Sequence, residues 1–316
     1  MNGLVADFGG TRIKLGLIRD KGVVAQQSIA ANSNEGLAMQ LPRIASVLES
    51  LCREARIGVR DCAAFAVAFP SIIDPATGKV MDSTFGKYAD APRLDLPRWC
   101  RETLGLPLLL ENDARMALLG EWQMGAGRGS EDLVMVTLGT GLGTAALVSG
   151  HLIQGKHGQG GILGGHLTVE HSGRRCTCGN QGCAEAEAST SVLQSIAAET
   201  AGFAKSPLSH CKAIDYATVF SLARDGDPCS MHLRRRSLQI WSSMIVNLVH
   251  AYDPERVIVG GGVMAASADF LAELRDLVLA RANTPWGRVN VVPGRLGDSA
   301  ALLGGDFLIT QFLSRR

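Results

Sequence analysis

Apolar residues recur along this chain with two different periods, and the order in which the periods follow one another is its first structural signal. Residues 4–8 form a short apolar run, Gly9-Gly10 bends the chain, and residues 13–18 form a second run. Asp20-Lys21-Gly22 is a turn signal, and a third strand is predicted after it. The period then changes. Leu37, Leu41, Ile44, Leu48 and Leu51 fall three or four apart and so share one face of a helix predicted over 37–56. Residues 63–69 read as a strand buried on both faces and closed by Pro70. Residues 108–110 read as another, leading through Glu111-Asn112-Asp113 into a helix rich in Ala, Leu and Met. Three strands, a helix, a strand, a helix and a strand fit an α/β layer better than a bundle or a sandwich.

The pattern then repeats. Residues 133–138 form a strand, Gly139-Thr140-Gly141 turns, and residues 142–148 return. Helices are predicted over 184–198, 230–252 and 270–282, and 257–259 is a buried strand that runs into three glycines. Two related α/β halves are expected, each opened by a glycine-turn hairpin. The expected division is 1–112 plus 300–316 as a smaller lobe and 113–299 as a larger one.

A chain of 316 residues accommodates two such cores. Hydrophobic residues at 46% and charged residues at 19% exclude a disordered chain, and a net charge of +1 removes nucleic acid as the default partner. No apolar run approaches the length needed to span a bilayer, and the N-terminus carries no secretory pattern, so no membrane partner and a cytoplasmic location are expected. In a reducing compartment the 8 cysteines read as buried thiols or metal ligands. Cys52, Cys62, Cys100, Cys211 and Cys229 are scattered and read as small packing residues. The Arg234-Arg235-Arg236 run on a predicted helix reads as a solvated face or a set of local ion pairs.

Three clusters carry candidate chemistry. In Asp7-Phe8-Gly9-Gly10-Thr11 the glycines allow a tight bend whose successive N–H groups form an anion site; Thr11 adds a hydroxyl, and Asp7 can hold Mg2+ through its water shell. Gly139-Thr140-Gly141-Leu142-Gly143 repeats that chemistry. Each could also be an ordinary hairpin turn. No P-loop and no dinucleotide fingerprint competes with them.

Asp113 ends a buried strand and starts a helix, which suits either a helix cap or a base at the strand's carboxyl end; Asn112 beside it can hold a sugar hydroxyl. Cys176, Cys178 and Cys183 place three thiols within eight residues, which reads as zinc. His166, His171 and Glu185 are near enough to complete the set, and spacing alone does not choose between the histidines.

Asp-x-Gly-Gly-Thr near the first residue, Gly-Thr-Gly-x-Gly in mid-chain, Val-Ile-Val-Gly-Gly-Gly-Val at 257–263, Asn-Asp-Ala at 112–114 and His-x9-Cys-x-Cys-x4-Cys from 166 together resemble the ROK family (repressors, open reading frames, kinases). The resemblance runs from about residue 3 to 305. It implies a two-domain actin-like ATPase (ribonuclease H-like) fold with ATP in the interdomain cleft. It places Asp7, Gly9, Gly10, Thr11, Gly139, Thr140 and Gly141 at the phosphates, Gly261 and Gly262 near the adenosine, and Asp113 as general base. It makes His166 the fourth ligand of a structural Zn2+ with Cys176, Cys178 and Cys183, leaving His171 at the surface. Sugar contacts are implied for Asn112, Ser71, His166 and Glu185, with Ser189 also fitting, and a homodimer is implied.

The implied reaction is ATP-dependent phosphorylation of a hexose or N-acetylhexosamine at the 6-hydroxyl. Departures from the family pattern fall on the sugar side. The family's glutamate before the zinc histidine falls on Ile162 or Leu163, Ser71 replaces a common glycine, and Asp82–Pro92, with Phe85, Lys87 and Tyr88, lacks the usual Asn-Leu-Pro segment. A catalytically weak sugar-binding regulator is therefore the second reading. With the first hairpin starting at residue 3, the helix-turn-helix that the family's repressors carry before it is not expected, nor is direct DNA binding. Another actin-fold activity, a nucleotidase or an acyl kinase, is the third, disfavoured by the Asn-Asp and zinc motifs together.

Overall fold

A computed structural model describes residues 1–74, 77–82 and 87–315; Phe85 lies outside them. The chain forms two compact units, one of Met1–Gly129, Leu152–Gly160 and the chain from Arg295 onward, the other of Ser130–His151 and Gly161–Gly294.

The first unit is built on a five-stranded sheet of β1 (Asn2–Phe8), β2 (Arg12–Arg19), β3 (Gly22–Ala30), β4 (Phe65–Phe69) and β5 (Leu108–Asn112), in the order β3-β2-β1-β4-β5. The first three strands form an antiparallel meander, while β4 runs parallel to β1 and β5 parallel to β4. Strand alternation sorts the apolar residues by face. Leu4, Ala6, Phe8, Leu15 and Leu17 join Ile44, Leu48 and Leu51 of helix α1 (Leu41–Glu54) in one core. Val5, Ala66 and Ala68 point the other way, toward α3 (Asp113–Met124) and α9 (Ala300–Ser314), where they pack with Met116, Leu302 and Ile309. Helix α2 (Leu96–Thr103) precedes β5.

Helix α1 begins later than its periodicity suggests. The N–H groups of Leu37 and Ala38 donate to the Asp90 carboxylate at 2.5 and 2.9 Å, Gly36 has φ 88°, and Pro42 occupies the first helical turn. Residues 37–40 therefore form a turn in which Asp90 satisfies the first two N–H groups from a distance and Leu37 O takes that of Gln40 at 2.9 Å.

Helices α3 and α9 approach through glycine. A Cβ on Gly304 would overlap the Met116 carbonyl, and one on Gly120 would overlap that of Ala300. Neither carbonyl can swing aside without moving its helix. A helical Gly→Ala change gains about 1 kcal/mol of propensity, whereas overpacking a tight contact costs about 1–3 kcal/mol and sometimes more. Because the obstacle is backbone, overpacking wins: Gly304→Ala should lower the urea midpoint, with a net loss of about 1–2 kcal/mol. An unchanged midpoint would refute this packing.

The second unit repeats the first sheet's topology. Strands β6 (Leu133–Leu138), β7 (Leu142–Val148), β8 (His151–Leu152), β9 (Arg256–Gly260) and β10 (Asn290–Pro293) have the order β10-β9-β6-β7-β8. Here β6 and β7 are the antiparallel hairpin, β9 runs parallel to β6, and β10 runs parallel to β9. Its helices are α4 (Ala184–Ala188), α5 (Thr190–Glu199), α6 (Tyr216–Arg224), α7 (Pro228–Tyr252) and α8 (Leu271–Leu279). Tyr216 and Phe220 of α6, Trp241 of α7 and Phe270 form an aromatic core. The arginine run makes ion pairs to other helices and not local ones: Arg234 with Glu273 of α8 at 2.7 Å, and Arg236 with buried Glu187 of α4. Among the described residues no helix is long and apolar enough to cross a membrane.

Candidate active site and metal centre

Sheet register in the first unit assembles its polar cluster. Asp7 of β1 stands opposite Ala68 of β4, and Ala68 stands opposite Glu111 of β5, so the carboxyl ends of the three parallel strands finish level. Open α/β sheets bind ligands at that end. Ser71, Asn112 and Asp113 continue from it, and the Gly9–Arg12 turn closes the first hairpin there. That turn is closed by the Gly9 N–H donating to Arg12 O at 2.9 Å.

Asn112, and not Asp113, caps α3. Its Oδ1 accepts from the N–H groups of Ala114 and Arg115 at 3.1 and 3.3 Å, and its Nδ2 donates to Ser71 O at 3.2 Å. Asp113 is thereby released from capping at the first helical position, where its carboxylate accepts the Ala114 N–H at 2.8 Å. Burial, reinforced by the neighbouring Asp7 carboxylate, pushes the Asp113 carboxyl up from 3.8 to about 6, against the opposing pull of the Ala114 N–H and the Lys87 ammonium. Asp7 is also shifted upward, chiefly by burial, while Lys14 at 3.7 Å holds it down.

Below this pair lies a buried scaffold that sequence patterns did not single out. Arg115 pairs with Glu111 at 3.2 Å and donates to the carbonyls of Ile153, Gln154, Gly158 and Gly160. Gln154 Nε2 in turn donates to Glu111 at 2.8 Å. With its charge paired and its donors spent on carbonyls, this guanidinium meets the conditions for a charge to be buried. It fastens residues 153–160 beside the start of α3. Ser71 is buried and donates to Asp82 O.

In the second unit the turn after β6 is braced from two sides. Gly261 has φ 91°, and a Cβ there would collide with the backbone of Leu138, so only glycine lets the chain leaving β9 lie against the end of β6. On the other side, the helix predicted over 184–198 is broken at Ser189, whose ψ is 160°. The N–H groups of Thr190 and Ser191 donate to Gly139 O and Thr140 O at 2.9 and 3.2 Å. The helix is interrupted where its backbone serves the turn. Glu185, near the start of α4, accepts the Leu142 N–H at 2.8 Å.

Cys183 stands at the N-cap position of α4 without a side-chain capping bond, and with His166, Cys176 and Cys178 it forms a group whose four ligand atoms lie within 4.8 Å of one another. Ligands about 2.3 Å (S) and about 2.0–2.1 Å (N) from a tetrahedral zinc stand about 3.5–3.8 Å apart. Cys176 Sγ lies 3.5 Å from His166 Nδ1, and Cys178 Sγ lies 3.7 Å from Cys183 Sγ. The donors therefore fit a zinc ion. Burial and the adjacent thiols push the Cys183 thiol up to about 12, so metal binding would have to release that proton. His171 is exposed and outside the group. Thr144, fully buried, latches the preceding segment by donating to Gly161 O at 2.6 Å and accepting from Gly164 N at 2.8 Å. Ile162 is 8% exposed and Leu163 36%.

The first unit thus gathers Asp7, Gly9, Gly10, Thr11, Ser71, Asn112 and Asp113 at one sheet end. The second gathers Gly139, Thr140, Gly141 and Gly261, with Gly262 next in sequence, and carries the His166 group. Sequence reasoning passed over Lys14, Glu111, Arg115 and Thr144. Only Lys14 left a signal, since strand alternation puts it directly across the hairpin from Asp7.

Comparison with known proteins points to one family, in which kinases outnumber repressors among the matches. A solved ROK family glucokinase from Streptomyces griseus, in complex with glucose and AMPPNP, superposes with a TM-score of 0.80 at 26% identity, covering 98% of this chain and 100% of that one. The fold is the two-domain actin-like α/β fold of the sugar kinases. A glucokinase from Thermotoga maritima is 31% identical over 317 residues, covering 96% of each chain. An N-acetylmannosamine kinase from Yersinia pestis is 32% identical over 305 residues, with 96% of each covered. The ROK family model matches residues 4–311, and the chain belongs to that family.

Proposed function

We propose that this chain, an ATP-dependent sugar kinase, transfers the γ-phosphoryl group to the 6-hydroxyl of a hexose or N-acetylhexosamine, with Asp113 accepting the hydroxyl's proton. The observation that carries this reading is the division of labour at the start of α3. Asn112 does the capping, so the Asp113 carboxylate is left in a desolvated position beside Asp7, with a proton affinity raised to about 6. That value suits a base working near neutral pH, because the group is ionised there yet more basic than an ordinary carboxylate.

The chain's own groups divide the remaining work. With the Gly9 and Gly139 N–H groups closing their own turns, the N–H groups of Gly10 and Thr11 would hold phosphate oxygens, and those of Thr140 and Gly141 offer the same chemistry in the second unit. Asp7 would take a hydrated magnesium ion; two neighbouring carboxylates on one sheet end are a fit donor set for a hard cation. Magnesium, when bound, neutralises phosphate charge. Zinc on His166 Nδ1 and the three thiolates would be structural, holding the start of α4, while Nε2 of the same ring stays available to a sugar hydroxyl. Glu185 would brace the second turn with one oxygen and offer the other to the sugar. A small sugar as partner, a homodimer and work in the cytoplasm complete this reading.

Ile162 and Leu163 favour one alternative, a sugar-binding regulator with weak catalysis. Both candidate positions for the family's pocket carboxylate are apolar. Losing one charged hydrogen bond costs about 1.5–3 kcal/mol, about tenfold or more in affinity. A coupled ADP-release assay over glucose, its C2, C3 and C4 epimers, ketohexoses and N-acetylhexosamines separates the readings. Turnover with at least one of these sugars is expected. Calorimetric binding of a sugar with no ADP release would select the regulator instead.

A further inference from the structure

The strand pairing that sets Asp7 opposite Lys14 has a consequence for nucleotide binding. Directly opposed residues of an antiparallel pair share a face, so the Lys14 ammonium and the Asp7 carboxylate project to the same side of the sheet. The ammonium is held from the far end of the chain. Asp298, just before α9, contacts it with a carboxylate oxygen at 3.0 Å and its backbone carbonyl at 3.3 Å. The remaining contact, to Asp7 at 3.7 Å, is an ion pair too long for a hydrogen bond. A lysine has three protons to donate, and here its strong acceptors are both on Asp298, whose side chain is 95% exposed.

The electrostatic setting is unfavourable to a polyanion. Asp7, Asp113 and Asp298 place three carboxylates around this sheet end, and Lys14 and Lys87 are the cations that act on Asp7 and Asp113. Phosphates arriving at the Gly9–Thr11 turn meet that field three residues before Lys14 in sequence. We infer that Lys14 is a nucleotide-phosphate ligand: its ammonium serves as counter-ion to Asp7 while the turn is empty and transfers to a phosphate oxygen when nucleotide binds. Asp7 is then free to take a hydrated cation. Asp298 is the competitor that holds the ammonium back. The inference rests on the phosphate role proposed above for the Gly9–Thr11 turn.

Isothermal titration with AMPPNP, with magnesium and with EDTA, tests it through binding alone. Lys14→Met is expected to weaken AMPPNP about tenfold with magnesium and more than that in EDTA, with Lys14→Arg retaining most of the affinity. Asp298→Asn, an exposed change, is expected to act in the opposite direction and tighten AMPPNP about threefold in EDTA, since it removes both a competitor and a negative charge. Should Lys14→Met fail to fold, Asp298→Asn decides: affinity equal to or weaker than wild type overturns the inference. Lys14→Met binding within twofold of wild type in both buffers overturns it too, while leaving the kinase reading intact. A wild-type protein that binds no AMPPNP overturns both.

Discussion

Asp113→Asn should lower kcat by about 10²–10⁴-fold, the range that a positioned general base contributes, while nucleotide and sugar still bind. The change keeps size and the Ala114 hydrogen bond but removes the basicity. It also removes a buried charge beside Asp7, so the fold should be no less stable. Loss of activity without loss of melting temperature is thus the expected signature, and near-native kcat in this variant sinks the assignment.

The wild-type pH profile carries the same information. A base works deprotonated, and burial beside Asp7 holds the Asp113 proton up to about pH 6. As pH falls through that value, kcat/KM should decline about tenfold per unit, whereas a carboxylate at its ordinary 3.8 would remain active for about two units more. The acid limb should disappear in the residual activity of Asp113→Asn. A limb near pH 4 in the wild type would mean that the carboxyl is solvated at work.

The second large effect is expected at the His166 group. Purified protein should carry about one zinc per chain, and Cys183→Ser should reduce that to a small fraction. Cys183 is fully buried, it stands at the start of α4, and as a thiol it donates to His166 O at 3.3 Å, a proton it gives up on becoming a ligand. Structural zinc contributes about 10–16 kcal/mol of apparent binding energy in small zinc-finger peptides. In a lobe with its own core, loss of even a third of that should lower the melting temperature by about 10 °C or more. The disturbance should spread to ATP as well as sugar, because α4 and α5 brace the Gly139–Gly141 turn through Glu185, Thr190 and Ser191. Full activity and an unchanged melt in metal-free protein would refute a structural role.

Much of this was readable from local patterns. The two glycine-turn hairpins, the switch from strand to helix period and the thiol cluster are each encoded within a dozen residues, and spacing alone reports them. The duplicated topology followed from the same patterns, since a hairpin with a later parallel strand recurs in each half. Where local and distant demands competed, the pattern misled. The apolar period of 184–198 suits one helix, yet Gly139 and Thr140, some fifty residues earlier, take the N–H groups of Thr190 and Ser191 and break it at Ser189.

By itself, then, the amino-acid order determined which segments become strands, helices and phosphate-sized bends, because those choices depend on side-chain period and on glycine's conformational range. Tertiary structure alone decided that Asn112 takes the cap and spares Asp113 that role, that burial and then Asp7 raise the proton affinity of Asp113, and that Lys14 answers to Asp298, 284 residues away. Burial and charge act through space, and the distances through which they act are set by which strand ends the first unit brings level, not by separation along the chain.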